Sequence, residues 1–199
     1  MAFLRSMATG ARWRRIGRHL AIGGLALLAL LAPAIGVAAT APPSAEYQIK
    51  AVFLFNFTQF VDGPAPAFAD PKTPLVIGIL GEDPFGSYLD ELVQGEKVGG
   101  RPMIIRRFRR GEAIDTCHIL FIGRTETAHS NQTMLSLRGR SILTVGDADA
   151  FSRQGGMVRF VTEGGKIRLR INVEAAKAGG LTISSKILRS ATIVTETKG

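Results

Sequence analysis

The chain has 199 residues, with 25 lysines and arginines against 16 acids, a net charge of +9, and one cysteine. A lone cysteine excludes an intrachain disulfide, and a chain of this length can bury one sizeable core without it. The basic excess invites a nucleic-acid reading, so its distribution along the chain decides what it means.

The excess is concentrated at the amino terminus. "MAFLRSMATGARWRRIGRH" carries Arg5, Arg12, Arg14, Arg15 and Arg18 and no acid, and "LAIGGLALLALL" follows from Leu20 to Leu31. A charged stretch before an apolar run too short to span a bilayer, then Pro33 and the small residues Val37 and Ala39, reads as a signal peptide over residues 1–39, with export to the periplasm. A retained membrane anchor is the alternative. Arg14 and Arg15 raise twin-arginine export, but "WRRIGRH" lacks the apolar residues that follow such a pair. Cleavage removes five arginines and no acid, so 25 basic against 16 acidic residues becomes 20 against 16, or +4. That is ordinary for a soluble domain and gives no support to nucleic-acid binding. Residues 44–199 are expected to form a single domain.

In chain order, "SAEYQIKAVFLFNFTQFVDGP" predicts a helix capped by Ser44 and closed by Pro64. Ile49, Phe53, Phe57 and Phe60 form one stripe, and Tyr47, Ala51, Leu54 and Phe55 a second. Two apolar sides imply burial on two sides, one against the chain's own sheet and the second stripe available to a partner or a second copy. The linker "PAPAFADPKTP" follows, then "PLVIGILG", a continuous apolar run expected of a strand covered on both faces. "DPFGSYLDELVQG" predicts a helix, "RPMIIRRF" and "HILFIG" strands, "TETAHSNQTMLSLRG" a helix and "SILTVG" a strand. Four strands alternating with helical or linking segments predict a parallel core. From Met157 to Ile171 the pattern alternates around Glu163-Gly164-Gly165, which predicts a β-hairpin with one wet face. "VEAAKAGG" reads as a short helix ended by glycine and "SSKILRSATIVTE" as a last helix starting at Ser184 or Ser185. The expected fold is a three-layer α/β domain: a largely parallel sheet, a C-terminal antiparallel hairpin, and helices on both faces.

The chain carries no GxSxG elbow, P-loop, dinucleotide glycine fingerprint, HExxH or CxxC, so no catalytic role and no cofactor is assigned. Cys117 and His118 are neighbours in a strand and point to opposite faces, which rules out an ordinary thiol-imidazole pair between them. Packing is the default for Cys117; contact with His129 and an interchain bridge are the alternatives. Glu82 and Asp83 follow the first strand, where a phosphorylated receiver domain holds acids for magnesium. Such a domain also needs an aspartate ending the central strand, and Gly123 and Arg124 stand there instead. Asp147 and Asp149 in "GDADAF" form a DxD that either binds a metal or caps a turn; the turn is preferred, and no metal is assigned. Thr182, Ser184 and Ser185 converge at a predicted helix start with Arg168 or Arg170 in reach, the ingredients of an anion site, although one hydroxyl suffices for a simple cap.

Taken together, "YQIKAVFLFNFTQFVDGP", "GILGEDPFG", "CHILFIG" and "ILTVGDADAFSRQGGMVRFVTEGGKIRLRINVEAAKAGGLTISSKIL" resemble the YfiR family of periplasmic proteins, from about Tyr47 to Leu188. The chain departs from the family at Gly63, where a tryptophan is usual, and in having Cys117 alone where some members form disulfides. The resemblance implies a dimeric, non-catalytic repressor. Such a protein binds the periplasmic part of an inner-membrane diguanylate cyclase, lowers cyclic di-GMP signalling and biofilm formation, and is sequestered by an outer-membrane lipoprotein. A periplasmic small-ligand or anion sensor is the second reading.

Overall fold

The computed structural model of the chain describes residues 43–63 and 73–195. The signal peptide expected at residues 1–39 and most of the linker lie outside the described residues. An eight-stranded sheet is built from β2 (Leu75–Leu80), β3 (Lys97–Val98), β4 (Arg101–Phe108), β5 (Ile119–Ile122), β6 (Leu143–Gly146), β7 (Val158–Glu163), β8 (Lys166–Asn172) and β10 (Ala191–Val194). Its spatial order is β10-β8-β7-β6-β5-β2-β4-β3. The five strands β4-β2-β5-β6-β7 all run parallel, in the 2-1-3-4-5 order of flavodoxin-like doubly wound folds. All six residues of β2 are buried, as a strand at the middle of a sheet covered on both faces requires.

The hairpin is where predicted. Gly164 and Gly165 take φ of +56° and +71°, the two positive values a two-residue turn of this twist needs, and β7 pairs antiparallel with β8. Its first strand also joins β6 in parallel, so the hairpin extends the core sheet.

Helices α1 (Ala45–Phe60), α2 (Ser87–Val93), α4 (Val173–Ala178) and α5 (Ser185–Leu188) sit over one face of the sheet. There Ala51, Leu54 and Phe57 meet Ile77, Ile79, Phe121, Val145 and Phe160 in one buried cluster. Helix α3 (Ser130–Ser136), the 3-10 segment Arg124–His129 before it and the loop after β4 cover the other face through Leu80, Phe108, Ile114, Cys117, Leu120 and Leu137. Three layers result, with helices on both faces, as expected.

The first helix begins where Ser44 predicts, but the Ser44 hydroxyl makes no capping bond. Its carbonyl accepts from the Gln48 amide at 3.0 Å, and the Gln48 side chain donates to the Pro43 carbonyl at 3.1 Å. The last predicted helix is corrected: it stops at Leu188, and Ala191–Val194 continue as β10, parallel to β8. The β-branched run Thr192-Ile193-Val194 favours a strand, and the free edge of β8 supplies its partner. A further two-residue pairing ties Val61–Asp62 (β1) antiparallel to Thr182–Ile183 (β9), so Thr182 belongs to a strand rather than to the start of α5.

Candidate functional site

In doubly wound sheets ligands bind outside the carboxyl ends of the strands, at the point where the strand order reverses. Here that point lies between β2 and β5, and the chain's own loops fill it. A Cβ on Gly123 would stand 2.9 Å from the Glu82 carbonyl, and one on Gly81, whose φ is +86°, 2.7 Å from the Glu126 side chain. The Thr125 hydroxyl accepts from the Glu82 amide at 3.3 Å. Buried Glu126 receives Arg110 Nε at 2.9 Å and a second guanidinium nitrogen at 3.0 Å, which holds its carboxyl below the ordinary range. Asp83 is likewise committed: it accepts from the Phe85 and Gly86 amides and from Arg107 Nε at 2.7 Å.

One strand further along, the ends of β5 and β6 carry a charged cluster under the first turn of α1. Asp147 directly follows β6, and Arg124 follows β5 after Gly123. A Cβ on Gly146 would stand 2.7 Å from the Phe151 ring, so glycine there lets the loop after β6 close over Phe151 and aim Asp147 at the helix. Lys50 Nζ lies 2.6 Å from Asp147 Oδ2, with both side chains 1% exposed. Glu46, one turn earlier on α1, approaches the same Nζ at 2.6 Å. Tyr47 donates its hydroxyl to Asp147 Oδ2 at 2.9 Å, and its ring lies 4.3 Å from Nζ. Arg124 Nε reaches Asp147 Oδ1 at 3.2 Å as an ion pair without the alignment of a hydrogen bond, so Oδ1 has no hydrogen-bond partner among the described residues.

Two cations and two carboxylates therefore close a neutral set around a buried lysine. Burial alone would raise the Asp147 carboxyl, but the Lys50 hydrogen bond and charge, with Tyr47 and Arg124, outweigh it and hold the group below its ordinary value. Burial, then the Asp147 charge, push the Tyr47 phenol up to about 12. The cluster fixes the amino-terminal half of α1 against the sheet and leaves the outer side of that helix to solvent, with Ile49 47% and Val52 39% exposed.

Of the four residues of the predicted partner stripe, two lie in the chain's own core and two at its margin. Ala51 and Leu54 are fully enclosed in the chain's own core, so they offer no surface to another chain. Tyr47 is engaged with Asp147, and Phe55 packs half-buried against the same core. From the first stripe, Phe57 is also core and Phe53 lies against Phe160. The buried face of α1 thus runs between the two stripes, and the large apolar side chains it leaves exposed are Ile49 and Val52.

The predicted anion site is not assembled. The Ser184 hydroxyl accepts from the Lys186 amide at 3.3 Å, an N-cap bond, while Ser185 is the first residue of a helix of four. Arg168 and Arg170 alternate along β8 with Leu169 and Ile171, which share a buried cluster with Ile183. Their side chains therefore leave the opposite face of the sheet from Ser184. Arg170 pairs with Glu163 at 3.1 Å. The DxD carboxylates separate: Asp147 turns inward to Lys50, and Asp149 outward to Arg159. Cys117 is buried beside Gly78 and donates to the Ile119 carbonyl at 3.1 Å, and burial pushes its thiol up to about 12. The His118 Nδ1 accepts from the Val76 amide at 3.0 Å. Lys50, Glu46 and Arg124 were not singled out from sequence, although a lysine inside an apolar helix stripe, four residues after a glutamate, is a readable sign of a buried pair.

The architecture defines a flavodoxin-order α/β domain in which the loops after β2 and β5 pack against each other at the strand ends. The chain belongs to the YfiR/HmsC-like family, whose model matches residues 47–192. That family is regulatory and generally periplasmic, and acts with membrane diguanylate cyclases. A comparison with curated proteins finds no match. Among the described residues no helix is long and apolar enough to cross a membrane.

Proposed function

We propose that the protein is an exported, non-catalytic repressor that binds the periplasmic segment of an inner-membrane diguanylate cyclase and lowers cyclic di-GMP output and biofilm formation. An outer-membrane lipoprotein relieves the repression by sequestering it, and the working form is a homodimer. Membership of the family over residues 47–192 carries this reading. The close packing of the loops after β2 and β5, where Thr125, Glu126 and the Glu82 backbone meet at the strand ends, supports it.

Contact with the cyclase, the second copy or both runs through the outer face of α1. Ile49 and Val52 are large apolar side chains left in water on a helix that the Lys50–Asp147 pair holds in place, and a fixed apolar helix face is a preorganised surface for another protein. Affinity capture with the purified periplasmic segment of a membrane diguanylate cyclase from the same organism tests the reading. Wild-type protein is retained and the Ile49→Asp variant is not; absence of retention of the wild type in both detergent and detergent-free conditions removes the proposal.

A further inference from the structure

At the opposite end of β6 from Asp147, a groove of about 720 Å³ lies between α3 and the end of α4, beside the starts of β6 and β7. Its apolar wall is Met134, Leu135 and Ala178, with Leu135 57% exposed although it is a large aliphatic side chain. Its cationic wall is Arg138, Arg140 and Arg153, and no carboxylate lines it among the described residues. Arg140 is tied down by donating to the Asp115 carbonyl at 2.8 Å. The guanidinium groups of Arg138 and Arg153, like those of Arg109, Arg168 and Arg189 elsewhere on the surface, have no ion pair or hydrogen bond among the described residues, and of these five only Arg138 and Arg153 line this groove.

We infer that this groove binds a small amphiphilic carboxylate. Its apolar body lies against Leu135, Met134 and Ala178, and its anionic head is held by Arg138 and Arg153. The size is that of ordinary small-molecule sites, which combine an apolar lining with a few placed polar groups. The unanswered charge of one sign selects an anion, and the planar guanidinium fork matches a carboxylate in two parallel hydrogen bonds. The exposed leucine selects a ligand with an apolar body over a simple ion. This site is separate from the outer face of α1 and gives the domain a chemical input of its own.

The test is calorimetric titration of octanoate into protein purified after expression of the full chain, with 1-octanol and acetate as probes lacking the charge or the apolar body. Octanoate is expected to saturate at one site and to bind on the order of ten-fold more tightly than either control. Arg138→Gln combined with Arg153→Gln weakens it by about the same factor, while the double lysine replacement, which keeps the charge and loses the fork, keeps part of the affinity. Thermal unfolding checks that the variants remain folded, as replacement of two exposed side chains predicts. Failure of octanoate to saturate, equal binding of 1-octanol, or undiminished binding by the glutamine variant overturns the inference, and none of these results bears on binding to a cyclase.

Discussion

Lys50 on α1 and Asp147 at the end of β6 are 97 residues apart in sequence and form an ion pair of 2.6 Å with both side chains shut away from water. Breaking such a pair strands a charge, whereas replacing both partners by apolar groups removes the demand. Lys50→Met is therefore expected to cost about 3 kcal/mol, and Lys50→Met with Asp147→Leu less than the single change. Urea unfolding of the two variants measures this, and additive losses would show that the residues do not act as a pair.

The same cluster sets an acid limb. The folded-state Asp147 carboxyl lies below its ordinary value of 3.8, so the unfolded chain takes up a proton first. The stabilisation is fully present above that ordinary value and is lost as pH falls through the lower, folded one. Glu46 is shifted in the same direction, chiefly by its bond to Lys50, and adds to the loss. Melting temperatures taken downward from pH 5 are expected to fall in the wild type and to fall less steeply in Asp147→Asn, from a lower start.

Cys117 packs. Its side chain is buried and the thiol is pushed up to about 12, so a disulfide-exchange reagent is expected to label it only in denaturant. Cys117→Ala costs on the order of 1 kcal/mol through lost contacts. Non-reducing electrophoresis of the native protein is expected to show no cross-linked species.

The two sides of α1 should respond differently to charge. Leu54→Asp places an unpaired carboxylate in the core and is expected to prevent folding, at a cost above about 4 kcal/mol. Ile49→Asp on the outer side changes stability by less than about 1 kcal/mol and removes association. Sedimentation and thermal melts of the two variants separate these effects.

Much of the fold was legible because the local signals agree: β2 is a continuous apolar run, and Gly164-Gly165 dictates a tight turn. The end of the chain was misread because SSKILRSATIV begins with a helical signal, and its strand depends on the free edge of β8, a partner that local periodicity does not reveal. The face of α1 was misassigned for a related reason. Ten of its sixteen residues are apolar, so stripes can be drawn at several angles, and only the position of Asp147 fixes the rotation that turns Lys50, Ala51 and Leu54 inward. Sequence placed serines at the start of α5 correctly, but the side of β8 from which Arg168 and Arg170 project follows from pairing register.

Repression of a cyclase is tested most directly by cyclic di-GMP measured in four strains: wild type, a deletion of this gene, a deletion of the membrane diguanylate cyclase it is proposed to bind, and the double deletion. Loss of this protein is expected to raise cyclic di-GMP and matrix production, and loss of the cyclase as well to return both to the level of the cyclase deletion. Wild-type cyclic di-GMP in the single deletion, with the cyclase demonstrably expressed, would contradict the repressor function.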